Sequence, residues 1–300
     1  MEFYSHGKLL LTAEYAVLEG VKALAVPTKR GQFLRVDHTT EGTIKWQSFT
    51  VEGKLWIDCI FDLKLNCLSS REGSSSVIEQ LSVILKTLNR LSPNFFADGI
   101  ALSTQLEFPL DWGLGSSSTL INNLAQWVGI NPYLLLEETM GGSGYDIAAA
   151  QSETALFYRR NKFSPTIEAV LFSPPFKDKL FFVYLKKKQN SRVAIAGFNE
   201  RNALNSTSKK RLEEIGTLLI NTKKQSNFNA LLKEHEDITA SFLGQISVQE
   251  RLFPDFKGQL KSLGAWGGDF ILASGDETTV DYFRQKGYPT IFRCADFILG

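Results

Sequence analysis

Four short stretches carry residue types able to handle a phosphate group. The first runs Pro109, Leu110, Asp111, Trp112, Gly113, Leu114, Gly115, Ser116, Ser117, Ser118, between a strand-like alternation and a helical one. Glycine lets the backbone turn tightly and bare its N–H groups. A helix start aims unpaired N–H groups and the positive end of its dipole at whatever lies before it. An oligophosphate suits such a cradle, and a serine there could ligate magnesium, which keeps several waters while bridging phosphate oxygens. The plain alternative is that Ser116 or Ser117 only caps an ordinary helix. The loop is neither a Gly-Lys-Ser phosphate loop nor a dinucleotide fingerprint.

In the second stretch, Lys8 and Glu14 stand at the two ends of an apolar, strand-like run. A lysine there could neutralise phosphate charge, and a carboxylate could orient a cation or a hydroxyl; a core strand with charged ends explains the pattern equally. The third stretch, Leu263, Gly264, Ala265, Trp266, Gly267, Gly268, Asp269, leads into an apolar strand. Its glycines suit a close backbone approach to a ligand or simply a tight turn. The fourth, Gly141, Gly142, Ser143, Gly144, Tyr145, Asp146, Ile147, leaves one carboxylate at the head of a short helix. Asp146 could accept or orient the proton of an attacking hydroxyl. It would also make a good N-cap, and the two roles are compatible.

The elements that must position these residues follow from periodicity. Residues 31–61 read as short strands, with alternation at 33–37, 43–49 and 55–61. Apolar residues at Val77, Ile78, Leu81, Ile84, Leu85 and Leu88 give residues 76–91 helical spacing. A strand over 99–108 enters the glycine stretch, and a helix over 116–128 leaves it. Short strands at 155–159 and 180–185 precede a polar, mostly helical region at 199–244. Strand, glycine loop, strand, helix and strand fill 262–294. Strands and helices in runs, without strict alternation, indicate α+β.

The bulk composition narrows the partners. Three hundred residues, 43% apolar and 22% charged, suit a globular chain with a substantial core. A formal charge of +1 gives no footprint for nucleic acid or an anionic membrane. No apolar run is long enough to span a bilayer, and Glu2 and His6 interrupt any signal-peptide core. Cys59, Cys67 and Cys294 lack metal-ligand spacing and read as buried free thiols of a reducing compartment, which places the chain in the cytoplasm.

Taken in this order, the four stretches resemble the GHMP kinases, a superfamily that includes galactokinase, homoserine kinase, mevalonate kinase and phosphomevalonate kinase. The resemblance spans the chain from Gly7 to Asp269 and is strongest to phosphomevalonate kinase at residues 14–18, 142–148 and 267–269. The Gly-Tyr-Asp-Ile-Ala string at 144–148 looks like the mark of a subgroup. The resemblance implies a ribosomal-protein-S5-like N-terminal domain at 1–160, with a left-handed βαβ, and a ferredoxin-like C-terminal domain at 161–300. It implies ATP and Mg2+ as cofactors, a small anionic substrate such as phosphomevalonate, and phosphates wrapped by Gly113, Leu114, Gly115, Ser116, Ser117 and Ser118. Ser117 matches the magnesium-coordinating serine, Lys8 a lysine near the transferred phosphate, and Asp146 the catalytic aspartate. Glu14, Gly264, Ala265, Gly267 and Gly268 fall on the substrate side.

The chain departs from the family pattern in three places. Ala13 and Trp266 stand where glycine is usual, so Trp266 is expected to narrow or close its loop. The interval from Ser117 to Asp146 is short, leaving Glu137 or Glu138 as loose candidates for a second metal ligand. Mevalonate, another hydroxyl metabolite, or a non-catalytic relative are the alternatives. Lys186, Lys187, Lys188 and Arg192 could hold an anion or form a solvated charge run.

Overall fold

The alternation at 33–37 belongs to a single strand of 17 residues, Ala23–Thr39 (β2), longer than its local pattern suggests because its first half is buried on both faces. It follows β1 (Glu2–Leu10). The computed structural model describes residues 1–93, 96, 99–187, 204–264, 266 and 268–299. These divide into two compact units: Met1–Gly7, Arg30–Leu110 and Gly115–Gln151 form the first, and Lys8–Lys29, Asp111–Leu114 and Ser152–Gly300 the second.

The first unit adds β3 (Ile44–Phe49), β4 (Leu55–Phe61), β5 (Cys67–Glu72), α1 (Ser75–Leu91), β6 (Gly99–Leu106), α2 (Ser116–Val128), α3 (Pro132–Thr139) and α4 (Tyr145–Ala150). Its strands lie in the order β5-β4-β3-β6-β2, with β3 parallel to β6 and the other pairs antiparallel. The stripe foreseen on α1 points inward, burying Ile78, Leu81, Ile84, Leu85 and Leu88. These residues share a core with Trp46 of β3, Ile121 and Leu124 of α2, Leu135 of α3 and Ile147 of α4. Packing on this core fixes the starts of α2 and α4, the two helices that carry candidate residues.

In the second unit, β7 (Leu156–Arg159) pairs with Ala23, Leu24 and Ala25 of β2 and with β8 (Thr166–Ala169). A separate antiparallel sheet is ordered β10-β11-β9-β12, from β9 (Leu180–Tyr184), β10 (Gln259–Ser262), β11 (Phe270–Ser274) and β12 (Ile291–Arg293). Helices α5 (Ser206–Asn221), α6 (Gln225–Leu243), α7 (Val248–Leu252), α8 (Thr279–Gln285) and α9 (Cys294–Phe297) complete it. The run Leu-Phe-Phe-Val-Tyr of β9 is buried throughout, which is why it lacks alternation.

Two expectations need correction. Cys67 is exposed on β5, a strand open to solvent along its whole length, so only Cys59 and Cys294 are buried thiols. Burial pushes both of those thiols up to about 12. The 8–14 run is not a single strand: β1 ends at Leu10, and Glu14 lies beyond it in a turn where Ala13 and Tyr15 have positive φ. No helix among the described residues is long and apolar enough to cross a membrane.

Candidate functional site

In the second unit the glycine stretch begins as a turn pinned to β1. The Lys8 backbone N–H donates to Leu114 O at 3.0 Å, and the Lys8 ammonium donates to Gly113 O at 2.9 Å. Gly113 has φ 66°, and a Cβ there would stand 2.4 Å from the carboxylate of Asp269. That spot admits glycine alone for two independent reasons. Trp112 anchors the turn among Tyr184, Phe270, Phe292 and Phe297, and Tyr184 donates its hydroxyl to Asp111 at 2.7 Å.

In the first unit the stretch continues into α2. The N-cap is Gly115 at φ 91°, with no side-chain capping bond, and Ser116 is the first helical residue. The capping explanation for Ser116 and Ser117 therefore fails. Ser118 donates back to Gly115 O at 2.9 Å and is buried, whereas Ser117 is exposed, its hydroxyl without a partner among the described residues. An uncapped helix start with a free hydroxyl fits an oligophosphate with a divalent cation.

Asp146 lies in the first turn of α4, whose N-cap is Gly144 at φ 86°, so it is not the cap either. Its carboxylate makes no hydrogen bond or ion pair among the described residues and is half-buried. Nearby, Tyr133 keeps a buried hydroxyl without a partner, and burial first, then the charge of Asp146, pushes that phenol up. Tyr133 was not foreseen; nothing in the pattern of α3 distinguishes it from a core aromatic. Glu138, the loose metal candidate, is ion-paired with Arg90.

Glu14 is fully buried in the second unit, inside a charge cluster that spacing could not reveal. The Lys261 ammonium, also fully buried, donates to Glu14, to Glu236 at 3.2 Å and to Ser262 O at 2.6 Å. Glu236 further accepts from Ser262 at 2.9 Å and from the Trp266 indole at 3.0 Å. Beside them His235 Nε2 accepts the Ala13 N–H at 2.8 Å, leaving its proton on Nδ1, which faces the Thr239 hydroxyl at 3.3 Å. Burial holds His235 neutral, well below the usual imidazole range. Glu14 Oε2 is left without a partner, 3.5 Å from that neutral ring.

Desolvation raises the Glu14 carboxyl to about 7 despite Lys261. A carboxyl that binds its proton more tightly when folded weakens the fold as pH rises from the ordinary carboxylate range to about 7. The wild type should therefore lose stability relative to Glu14→Gln between pH 5 and 7 in thermal melts. Parallel curves for the two proteins would show that Glu14 does not titrate in that window.

Gly264 has φ 62°, and Gly268 precedes Asp269, whose φ is 49°. Ala265 and Gly267 lie outside the described residues, as do Lys188 and Arg192. Lys186 is exposed at φ 56° and Lys187 O accepts the Asp269 N–H at 2.7 Å. Ala13 (φ 62°) and Trp266 (φ 53°), which stand where the resemblance expects glycine, both keep a left-handed backbone.

No protein-family model matches the chain, and no curated protein matches its sequence. Solved structures do. Mevalonate kinase of Methanococcus jannaschii aligns with TM-score 0.70 at 15% identity over 97% of this chain and 96% of its own. Phosphomevalonate kinase of Streptococcus pneumoniae, in complex with phosphomevalonate and AMPPNP, aligns with TM-score 0.69 at 15% identity over 98% and 99%. Galactokinase of Lactococcus lactis, complexed with galactose, gives 0.70 at 14% identity over 99% and 92%. The chain has the GHMP kinase fold. Within that fold the glycine stretch between β6 and α2, the turn after β1 and the turn before β11 are the segments picked out in the sequence.

Proposed function

We propose that this chain is an ATP- and magnesium-dependent kinase that phosphorylates a small anionic metabolite in the cytoplasm, with phosphomevalonate as the first acceptor to test. The observation that carries this reading is the uncapped start of α2 behind the left-handed turns at Gly113 and Gly115. In this reading Gly113, Leu114, Gly115, Ser116, Ser117 and Ser118 hold the phosphates of ATP, and Ser117 offers its free hydroxyl to Mg2+. The nucleotide supplies the phosphoryl group and the cation neutralises charge on its oxygens.

Lys8, fastened to Gly113 O, fixes the turn and brings positive charge to it. Asp146 accepts or orients the proton of the acceptor hydroxyl; its carboxylate has no other partner among the described residues that would compete for this role. In this reading residues 1–160 serve as the ATP-binding domain and 161–300 as the C-terminal domain. That functional division differs from the two compact units, which group 8–29, 111–114 and 152–160 with the C-terminal part. Glu14 is fully buried and bonded to Lys261, so its part on the substrate side is indirect; Gly264, Ala265, Gly267 and Gly268 complete the substrate side in this reading. Mevalonate and other hydroxyl metabolites are the competing acceptors.

Calorimetric titration with Mg-ATP tests the phosphate site. Saturable heat is expected for the wild type, with at least a tenfold loss of affinity for Gly113→Val, whose side chain would meet Asp269. Equal affinity in the variant would move the phosphates away from this loop.

A further inference from the structure

We infer that Trp266 is a positioning residue: its indole, held by Glu236 in the buried cluster around Lys261, fixes the backbone at Trp266 in the turn that starts at Leu263, and so keeps the Asp269 carboxylate against Gly113 of the glycine loop. The sequence suggested an obstruction, a large ring standing where glycine is usual. The side chain instead turns inward: it is 3% exposed and packs with Tyr15 and Leu243.

Three observations support the inference. First, the backbone at Trp266 and at Asp269 is held in a conformation that these two residues disfavour. Trp266 and Asp269 both have positive φ, at 53° and 49°, a region in which the L-residue Cβ is crowded. Such conformations persist only where the surroundings over-determine them. Second, the surroundings that do so for Trp266 are specific. Its N–H donates to Glu236 Oε1 at 3.0 Å, and Glu236 is itself fixed by Lys261 and by the Ser262 hydroxyl. Glu236 sits on α6, a helix of 19 residues, so the turn is tied to a rigid element.

Third, the far end of the turn matters to the glycine loop. Asp269 is tied by backbone bonds to Leu185 and Lys187, both at 2.7 Å, and its carboxylate fills the space that the missing Cβ of Gly113 leaves. A turn that loosens at Trp266 frees Asp269 from that space, and Gly113 loses the neighbour that defines its cradle. The same cluster reaches the turn after β1, because Lys261 also holds Glu14. Two loops that the sequence marks separately are thus fixed by one buried lysine.

The test compares wild type with Trp266→Phe, which keeps an aromatic ring and removes the N–H. Hydrogen exchange read by mass spectrometry should quicken at least fivefold in peptides covering 262–270 and 111–114, while α1 and β6 stay as protected as before. The affinity for Mg-ATP should fall about tenfold with kcat changed less than threefold, since positioning the bound phosphates differs from moving a proton. Unchanged exchange at 111–114 would overturn the inference, even if the variant melts lower, because a merely structural tryptophan would do only that. Should Trp266→Phe not fold, benzothienylalanine at 266, with the shape of tryptophan and no N–H, carries the same expectations. The nucleotide measurement rests on the function proposed above; the exchange measurement does not, so a chain that binds no ATP would fail the first and still decide the second.

Discussion

Asp146→Asn is expected to lower phosphoryl transfer by two to four orders of magnitude while leaving the affinity for Mg-ATP within about twofold, the scale of a lost general base. Asparagine matches aspartate in shape, and Asp146 makes no hydrogen bond among the described residues that the change would break. Its backbone sits in the first turn of α4 behind Gly144, so the helix start does not depend on its side chain for capping. Rate loss without loss of stability or nucleotide binding is therefore the expected pattern. A variant that turns over at the wild-type rate would remove Asp146 from the chemistry. One that loses nucleotide binding in step with rate would make it part of the phosphate site.

Lys261→Met should be among the most destabilising single substitutions in the chain. The ammonium is fully buried and shared by Glu14 and Glu236, themselves buried. Removing it leaves two carboxylates near one another with no cation, and breaking a buried ion pair from one side costs about 3–5 kcal/mol. For a protein of this size that corresponds to a fall in Tm of roughly 10 °C. Adding Glu14→Gln to Lys261→Met should restore part of the loss, since one uncompensated charge goes with it. A melt within about 1 °C of wild type for Lys261→Met would mean the cluster contributes nothing net.

Much of this fold could be read from one sequence because its amphipathic elements are regular. The helix over 116–128 and the stripe on α1 fell where the spacing put them, since both send their apolar residues into one shared core. The strands that escaped notice are those whose burial does not alternate: β5 and β8 are exposed throughout, so neither shows a two-residue period. α3 was missed for another reason, as its short run of leucines gives only a weak face.

The candidate site was legible where backbone conformation dictates residue type. Gly113, Gly115 and Gly144 mark left-handed turns before helices, and these turns locate Ser117 and Asp146. What stayed hidden depends on contacts distant in the chain. Glu14 meets Lys261, and Trp266 meets Glu236, through folding alone, and no local period records either pair. The direction of the Trp266 side chain was hidden for this reason: residue type suggested size, while the indole is held by a helix residue thirty positions earlier.

The kinase reading is tested most directly by incubating the chain with Mg-ATP and mevalonate, phosphomevalonate or diphosphomevalonate, following ADP release and weighing the product by mass spectrometry. Release of ADP matched by one added phosphate on a single acceptor, phosphomevalonate first, is the expected result. ATP left intact with all three acceptors, together with no calorimetric heat on adding Mg-ATP, would contradict it and leave a chain that has the fold of these kinases without their chemistry.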